Sequence, residues 1–238
     1  MKLLLSCLEC KNEMLGAPVT VEIEDDGVYV LVCSQGHRSF HILSNPKFEV
    51  LFEMGLLAFD DGYTREAVAT MAASVEEFFR FFVKCIFAKR KLYENDRFYE
   101  AQKFWKLIAR AEPQLGAFAA FYFLEFEKCP AYPDRKSTEF RNSVIHRGQI
   151  PKSSEVMEYG DKLVKFMIPV YREYRKGFEA LIARGIEVMT KFTKRTEESP
   201  LSSNYPTAVS YLALREEEPR FTDALEYVRK NKGRFFTA

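Results

Sequence analysis

The stretch Phe140-Arg141-Asn142-Ser143-Val144-Ile145-His146-Arg147-Gly148 sets an arginine, an amide and one of the chain's three histidines within about two turns of an expected helix. Arginine presents a planar fork of N–H donors that matches a phosphate. Histidine is the side chain whose ordinary titration lies near neutral pH, where it takes up and releases protons. A phosphate clamp beside a proton carrier is the equipment for phosphodiester chemistry without a metal ion.

Successive residues of an α-helix turn by about 100°. Phe140 and Val144 then share an apolar side, with Ile145 at its edge, while Asn142 and His146 stack as i and i+4 on another face. Arg141 falls between Val144 and Ile145, on the side expected to be covered. A covered guanidinium is costly unless an anion meets it. Two readings follow. In one, Arg141 is structural, satisfied by an internal carboxylate, and His146 is an ordinary surface residue. In the other, Arg141 and His146 face a shared cleft.

The order arginine, polar residue, three residues, histidine, with the trailing Gly148, Ile150 and Pro151, resembles the motif of the HEPN superfamily (higher eukaryotes and prokaryotes nucleotide-binding) over residues 137–151. The resemblance implies a helical bundle acting as a metal-independent endoribonuclease, in which a ribose 2′-hydroxyl attacks its own phosphate. It implies that Arg141 holds the scissile phosphate, that His146 is general base or acid, and that Asn142 holds the histidine or a phosphate oxygen. Arg147 would add a contact to the RNA backbone. The resemblance further implies a homodimer that pairs two motifs across a two-fold interface, and a place among toxins silenced by an antitoxin partner or among phage-defence effectors. The alternative from another class is a non-catalytic helical module that binds RNA, a nucleotide or a protein.

A second constellation lies at the front. Cys7-Leu8-Glu9-Cys10 is a CxxC, and Cys33-Ser34-Gln35-Gly36-His37 forms a second knuckle. Between them, Val19–Ile23 alternates apolar and polar residues, Asp25-Asp26-Gly27 reads as a turn, and Val28–Val32 reads as the returning strand of a hairpin. Two knuckles bracketing a hairpin resemble a zinc ribbon with Cys7, Cys10, Cys33 and His37 as ligands. Three cysteines and a histidine leave no vacant position, so the expected role of zinc is structural. His41, in the strand-like Phe40–Leu43, is the substitute for His37. A redox CxxC would open a helix after a strand, which this context does not offer.

Composition bounds the rest. The 238 residues, 47% apolar and 29% charged, suffice for one large domain with a small module. The 22 phenylalanines point to a packed helical core. A net charge of +1 gives no overall pull toward nucleic acid, so an RNA site must be a local basic patch. The apolar start Leu3-Leu4-Leu5 is too short for a signal sequence, and no run approaches the length of a membrane span. Five cysteines, four explicable without disulfides, place the chain in a reducing cytoplasm. No Gly-rich phosphate loop, Ser-His-Asp set or paired-carboxylate metal centre is evident, and Asp25-Asp26 and Asp60-Asp61 read as turn acids.

The expected fold is therefore mainly α, a HEPN-like helical bundle preceded by a small β-hairpin zinc ribbon. The ribbon takes residues 1–44, the helical domain 45–198 and a C-terminal extension 199–238. Residues 45–60 read as a connector. Thr64 or Gly62 opens a helix that runs to Phe87, with Val75, Phe78, Phe79, Phe82 and Ile86 as its apolar stripe. Arg97–Arg110 forms a second helix, and Pro113 separates it from the apolar Leu115–Phe126. Asp134 or Ser137 caps the helix that carries the motif, and Gly148 ends it. A long helix runs from Ser153 or Ser154 to about Thr196, with Pro169 expected to kink it. A short strand or helix at Ala208–Leu214 and a helix at Thr222–Lys230 follow, and the basic end from Arg229 to Arg234 is a solvated tail or a phosphate contact.

Overall fold

Two periodicities organise the chain. Residues alternating in and out near the N-terminus form strands, and stripes of period three to four form helices. The computed structural model describes residues 1–7, 10, 18–93, 97–132, 134–193, 201–233 and 236–237. The chain divides into two compact units, one of residues 1–45, 182–206 and 228–238, the other of residues 46–181 and 207–227. Segments of the expected C-terminal extension contribute to both units.

The first unit carries the strands β1 (Lys2–Ser6), β2 (Pro18–Glu22), β3 (Val28–Val32) and β4 (Arg38–Leu43), joined later by β5 (Leu201–Ser203) and β6 (Phe236–Thr237). The hairpin expected across Asp25-Asp26-Gly27 does not form. β2 pairs antiparallel with β1, Leu3 opposite Val21 and Leu5 opposite Val19, while β3 pairs antiparallel with β4. The reason lies in the start of the chain: Leu3 and Leu5 are fully buried, so Leu3-Leu4-Leu5 is itself a strand, and its backbone takes the pairing with β2 that the expected hairpin would have used. In β3, Tyr29 and Leu31 point inward while Val30 and Val32 remain half exposed. Gly27, in the left-handed region at φ 66°, accepts from the Leu43 amide at 2.8 Å, so the turn extends the β3–β4 ladder. Each knuckle thus lies in the connection of its own hairpin. β6 adds to β1 antiparallel and β5 to β4 in parallel. The Asn45 amide reaches both backbone groups of Tyr205, donating to its carbonyl at 2.7 Å and accepting from its N–H at 2.8 Å.

The second unit is helical. Its elements are α1 (Lys47–Asp60), α2 (Thr64–Lys89), α3 (Arg97–Leu107), α4 (Ala111–Phe126), α5 (Arg135–Arg147), α6 (Ser153–Thr193), α7 (Ala208–Leu214) and α8 (Phe221–Asn231); α6 and α8 extend beyond its bounds. The expected connector over 45–60 is in fact α1. Phe48, Phe52 and Leu56 recur at intervals of four and are fully buried, which is a helical stripe. Pro113 does not end a helix either. It sits in the first turn of α4, where its missing N–H has no intrahelical acceptor to lose. α6 runs on through Pro169, and the expected stretch to Thr196 ends outside the described residues.

Phenylalanine builds this core. Phe118 of α4 meets Phe79 at 4.9 Å and Phe82 at 5.0 Å between ring centroids, and Phe166 of α6 meets Phe78 at 5.8 Å. Tilted and edge-to-face pairs of this kind add to the burial of the rings. A smaller cluster about Val83, Phe87 and Ala101 holds α3 through Phe104 and Trp105. Cys85 is buried as a small hydrophobe, as its place on α2 implies. Among the described residues, no helix is long and apolar enough to cross a membrane.

Candidate functional site

α5 is built to be short and fixed. Asp134 is its N-cap, and its carboxylate accepts from the Ser137 N–H at 2.9 Å and from the Ser137 hydroxyl at 2.8 Å. The Ser137 N–H bond first, and then its hydroxyl, hold the Asp134 carboxyl below its ordinary range. At the far end Gly148 adopts φ 72°, and the amides of Gly148 and Gln149 return to the Ser143 carbonyl. Val144 is fully buried, and Phe140 packs on Tyr159 of α6 at 5.5 Å. With that face committed, Arg141, Asn142 and His146 border the same opening.

The opening is a cavity of about 310 Å³ within the second unit. One wall is apolar, formed by Ala72, Val75 and Phe79 of α2, Leu115 of α4 and Leu163 of α6. The other is polar, formed by Glu76, Thr138, Arg141, Asn142, His146 and Tyr159. Arg141 donates through Nη2 to the Glu76 carboxylate and through Nη1 to Asn142 Oδ1 at 3.2 Å. The Arg141 and Glu76 side chains are 28% and 33% exposed, so this is a partly screened pair open to the cavity rather than a buried one. Both sequence readings of Arg141 therefore describe something present. An internal carboxylate meets the guanidinium, and the same guanidinium shares a cavity with His146, which is exposed on its cavity rim. Arg147 is exposed and does not line the cavity.

Three lining residues carry chemistry that sequence reasoning missed. Glu76 lies on the flank of the α2 stripe, and the signal for it was the unassigned counter-ion that Arg141 demanded. Tyr159 falls on the α6 seam between Val156 and Leu163, at i+3 and i−4, so a phenol on a buried face was the signal there. Burial pushes the Tyr159 hydroxyl far above the ordinary phenol range, opposed by the nearby Arg141 charge. Tyr132, in the loop before α5, is raised too, by burial against the same charge and a Thr138 hydrogen bond.

In the first unit, the side chains of Cys7, Cys10, Cys33 and His37 bring one ligand atom each to within 4.8 Å of all the others. His37 Nδ1 lies 3.4 Å from Cys10 Sγ and 3.8 Å from Cys7 Sγ, and Cys10 and Cys33 sulfurs stand 3.7 Å apart. The second knuckle is closed by the Cys33 N–H donating to the His37 carbonyl at 3.0 Å and by Gly36 at φ 81°. The four residues lie close enough to hold a metal ion. As a thiol Cys10 is pushed up to about 12, by lost solvation first and then by the Cys33 and Cys7 sulfurs. Cys33 loses solvation as well, yet the N–H groups of Gln35 and His37 bring it down to about 7. His41 is not in this group. It is buried in β4, its Nε2 pairs with Ser39 Oγ at 2.9 Å, and burial lowers its basicity.

No protein-family model, curated protein or solved structure matches the chain.

Proposed function

We propose that this chain is a metal-independent endoribonuclease of HEPN type carrying a structural zinc in its N-terminal module. The observation that carries the reading is the cavity that gathers Arg141, Asn142 and His146. In the reaction, His146 takes the proton of a ribose 2′-hydroxyl while that oxygen attacks the adjoining phosphorus. The 5′-oxygen departs and a 2′,3′-cyclic phosphate remains. Arg141 has five N–H donors and uses two nitrogens within the protein, so donors remain for the non-bridging phosphate oxygens. Asn142, bonded to Arg141 through its oxygen, keeps its NH₂ for a further phosphate contact. Glu76 orients the guanidinium and competes with phosphate for it. Two chains pair across a two-fold axis, each bringing its own motif.

The test is cleavage of total RNA or tRNA by pure protein in a chelator that leaves the bound metal in place. His146→Ala and Arg141→Ala should each lower cleavage at least ~100-fold with the helical circular dichroism unchanged, as expected for lost proton transfer or phosphate stabilisation. Equal cutting by both variants would remove the site. A second reading is favoured by one contact. The Glu76 carboxylate holds the Arg141 guanidinium in place without a ligand, a role compatible with a non-catalytic module that binds RNA, a nucleotide or a protein. Retention of RNA without strand scission would select it. Toxicity on expression, relieved by His146→Ala, would place the nuclease among toxins held by a partner protein.

The zinc assignment rests on donor chemistry and spacing. A tetrahedral ion with Zn–S of about 2.3 Å sets its sulfurs about 3.8 Å apart, against the 3.7 Å between Cys10 and Cys33. Elemental analysis of protein purified without added metal should find about one zinc per chain.

A further inference from the structure

A single imidazole cannot both take the 2′ proton and supply a proton to the leaving 5′-oxygen in one step, so the reaction proposed above needs a second proton-bearing group, either from the second motif of the pair or from the same cavity. The chain's other two histidines are accounted for, His37 among the metal-binding residues and His41 buried in β4. Within the cavity, the Glu76 carboxylate is engaged by Arg141, and Tyr132 is far more exposed than Tyr159.

Tyr159 differs. Its residue is only 7% exposed, its ring is fixed against Phe140, and it lines the cavity beside Arg141. Tyr159 lines the same cavity as His146, so a substrate held there by Arg141 meets its side chain as well. We propose that Tyr159 is a further catalytic residue, the general acid that protonates the departing 5′-oxygen. The inference rests on the ribonuclease reading. The bond from the 2′-oxygen to hydrogen breaks and its proton goes to His146, the 2′-oxygen–phosphorus bond forms, and the phosphorus–5′-oxygen bond breaks. The 5′-oxygen leaves with the phenolic proton. Imidazolium and phenolate then exchange that proton through water, which restores both groups. Burial makes the phenol a weaker acid, and the Arg141 charge beside it opposes that by steadying the transient phenolate.

The test compares the parent chain with Tyr159→Phe, which removes one oxygen and keeps the ring packed on Phe140. On ordinary RNA, Tyr159→Phe should cut ~100-fold more slowly, within the range of a positioned proton donor. On an RNA whose scissile 5′-oxygen is replaced by sulfur, it should match the parent within ~3-fold, because a thiolate is a weak base and departs without a proton. His146→Ala should stay slow on both substrates. If Tyr159→Phe cuts ordinary RNA at the parent rate, or stays equally slow on the sulfur substrate, the acid role is overturned while the ribonuclease reading stands. If the parent cuts neither RNA, both fall together.

Discussion

At the scale of single residues, the helical unit buries a pair of acids. Glu49 and Glu53 are one turn apart on α1 and only 2% and 5% exposed. Glu49 accepts from the Tyr171 hydroxyl at 2.8 Å and from the Thr207 hydroxyl at 2.7 Å, while Glu53 accepts from the Ala208 N–H at 2.9 Å. Burial, only partly offset by that N–H and reinforced by the Glu49 charge, raises the Glu53 carboxyl from 4.5 to about 7. A carboxyl that binds its proton more tightly when folded makes the fold less stable as pH rises. The loss begins near pH 4.5 and is complete above about pH 7. Its size is on the order of 3 kcal/mol. Glu53→Gln keeps an oxygen for the Ala208 N–H and removes the titration. It should raise the melting temperature at pH 8 and flatten the fall between pH 5 and 8 seen for the parent, as thermal unfolding at a series of pH values would show. An equal pH dependence in both proteins would contradict this account of Glu53.

At the scale of elements, two contacts hold the helices that frame the cavity. Gly160 of α6 lies against Phe221 at the start of α8. A Cβ there would meet ring carbons at 2.4, 2.5 and 2.8 Å, and Phe221 is itself fully buried against Phe52 and Phe59. Gly160→Ala should therefore destabilise by about 1–3 kcal/mol, the range for an overpacked core. Combining it with Phe221→Leu should cost less than the two single changes summed, because the smaller side chain makes room. Denaturant unfolding of the four proteins measures that coupling. The cap of α5 is the other contact. Asp134→Ala frees the Ser137 N–H, so the helix bearing Arg141 and His146 should fray at its start. A melting temperature lower by a few degrees is expected, with weaker cleavage, and Asp134→Asn should recover most of both. The existence and period of these helices were legible in the sequence because each carries its own stripe. The partner of each stripe was not. α1, expected as a connector, carries such a stripe in Phe48, Phe52 and Leu56, four apart. Strand pairing is illegible for a related reason: the alternation in β2 and β3 shows which side chains face inward, but not which strand hydrogen-bonds to each.

At the scale of the whole molecule, the two compact units are expected to respond differently to metal loss. With two short three-stranded sheets and four side chains close enough to hold a metal ion, the first unit should draw much of its folding free energy from the proposed zinc. The helical unit has its own phenylalanine core. Cys33→Ser should lower metal content well below one per chain and speed amide exchange through residues 1–45, leaving exchange in residues 46–181 at the parent rate. Loss of protection in both units together would show that the helical core depends on the ion.

Sequence alone determined the chemical inventory: a guanidinium, an amide and an imidazole on one short helix, and three thiols with an imidazole at knuckle spacing. Neighbours within a few residues are placed by the local geometry of a helix or turn, which the chain carries wherever it folds. Tertiary structure decided what meets those groups. Glu76 stands 65 positions from Arg141 in the chain, Thr207 stands 158 from Glu49, and Tyr159 enters the cavity only because α6 packs Phe140 against it. Contacts between distant residues depend on how whole apolar faces find cover, and that is a property of the packed molecule rather than of any stretch within it.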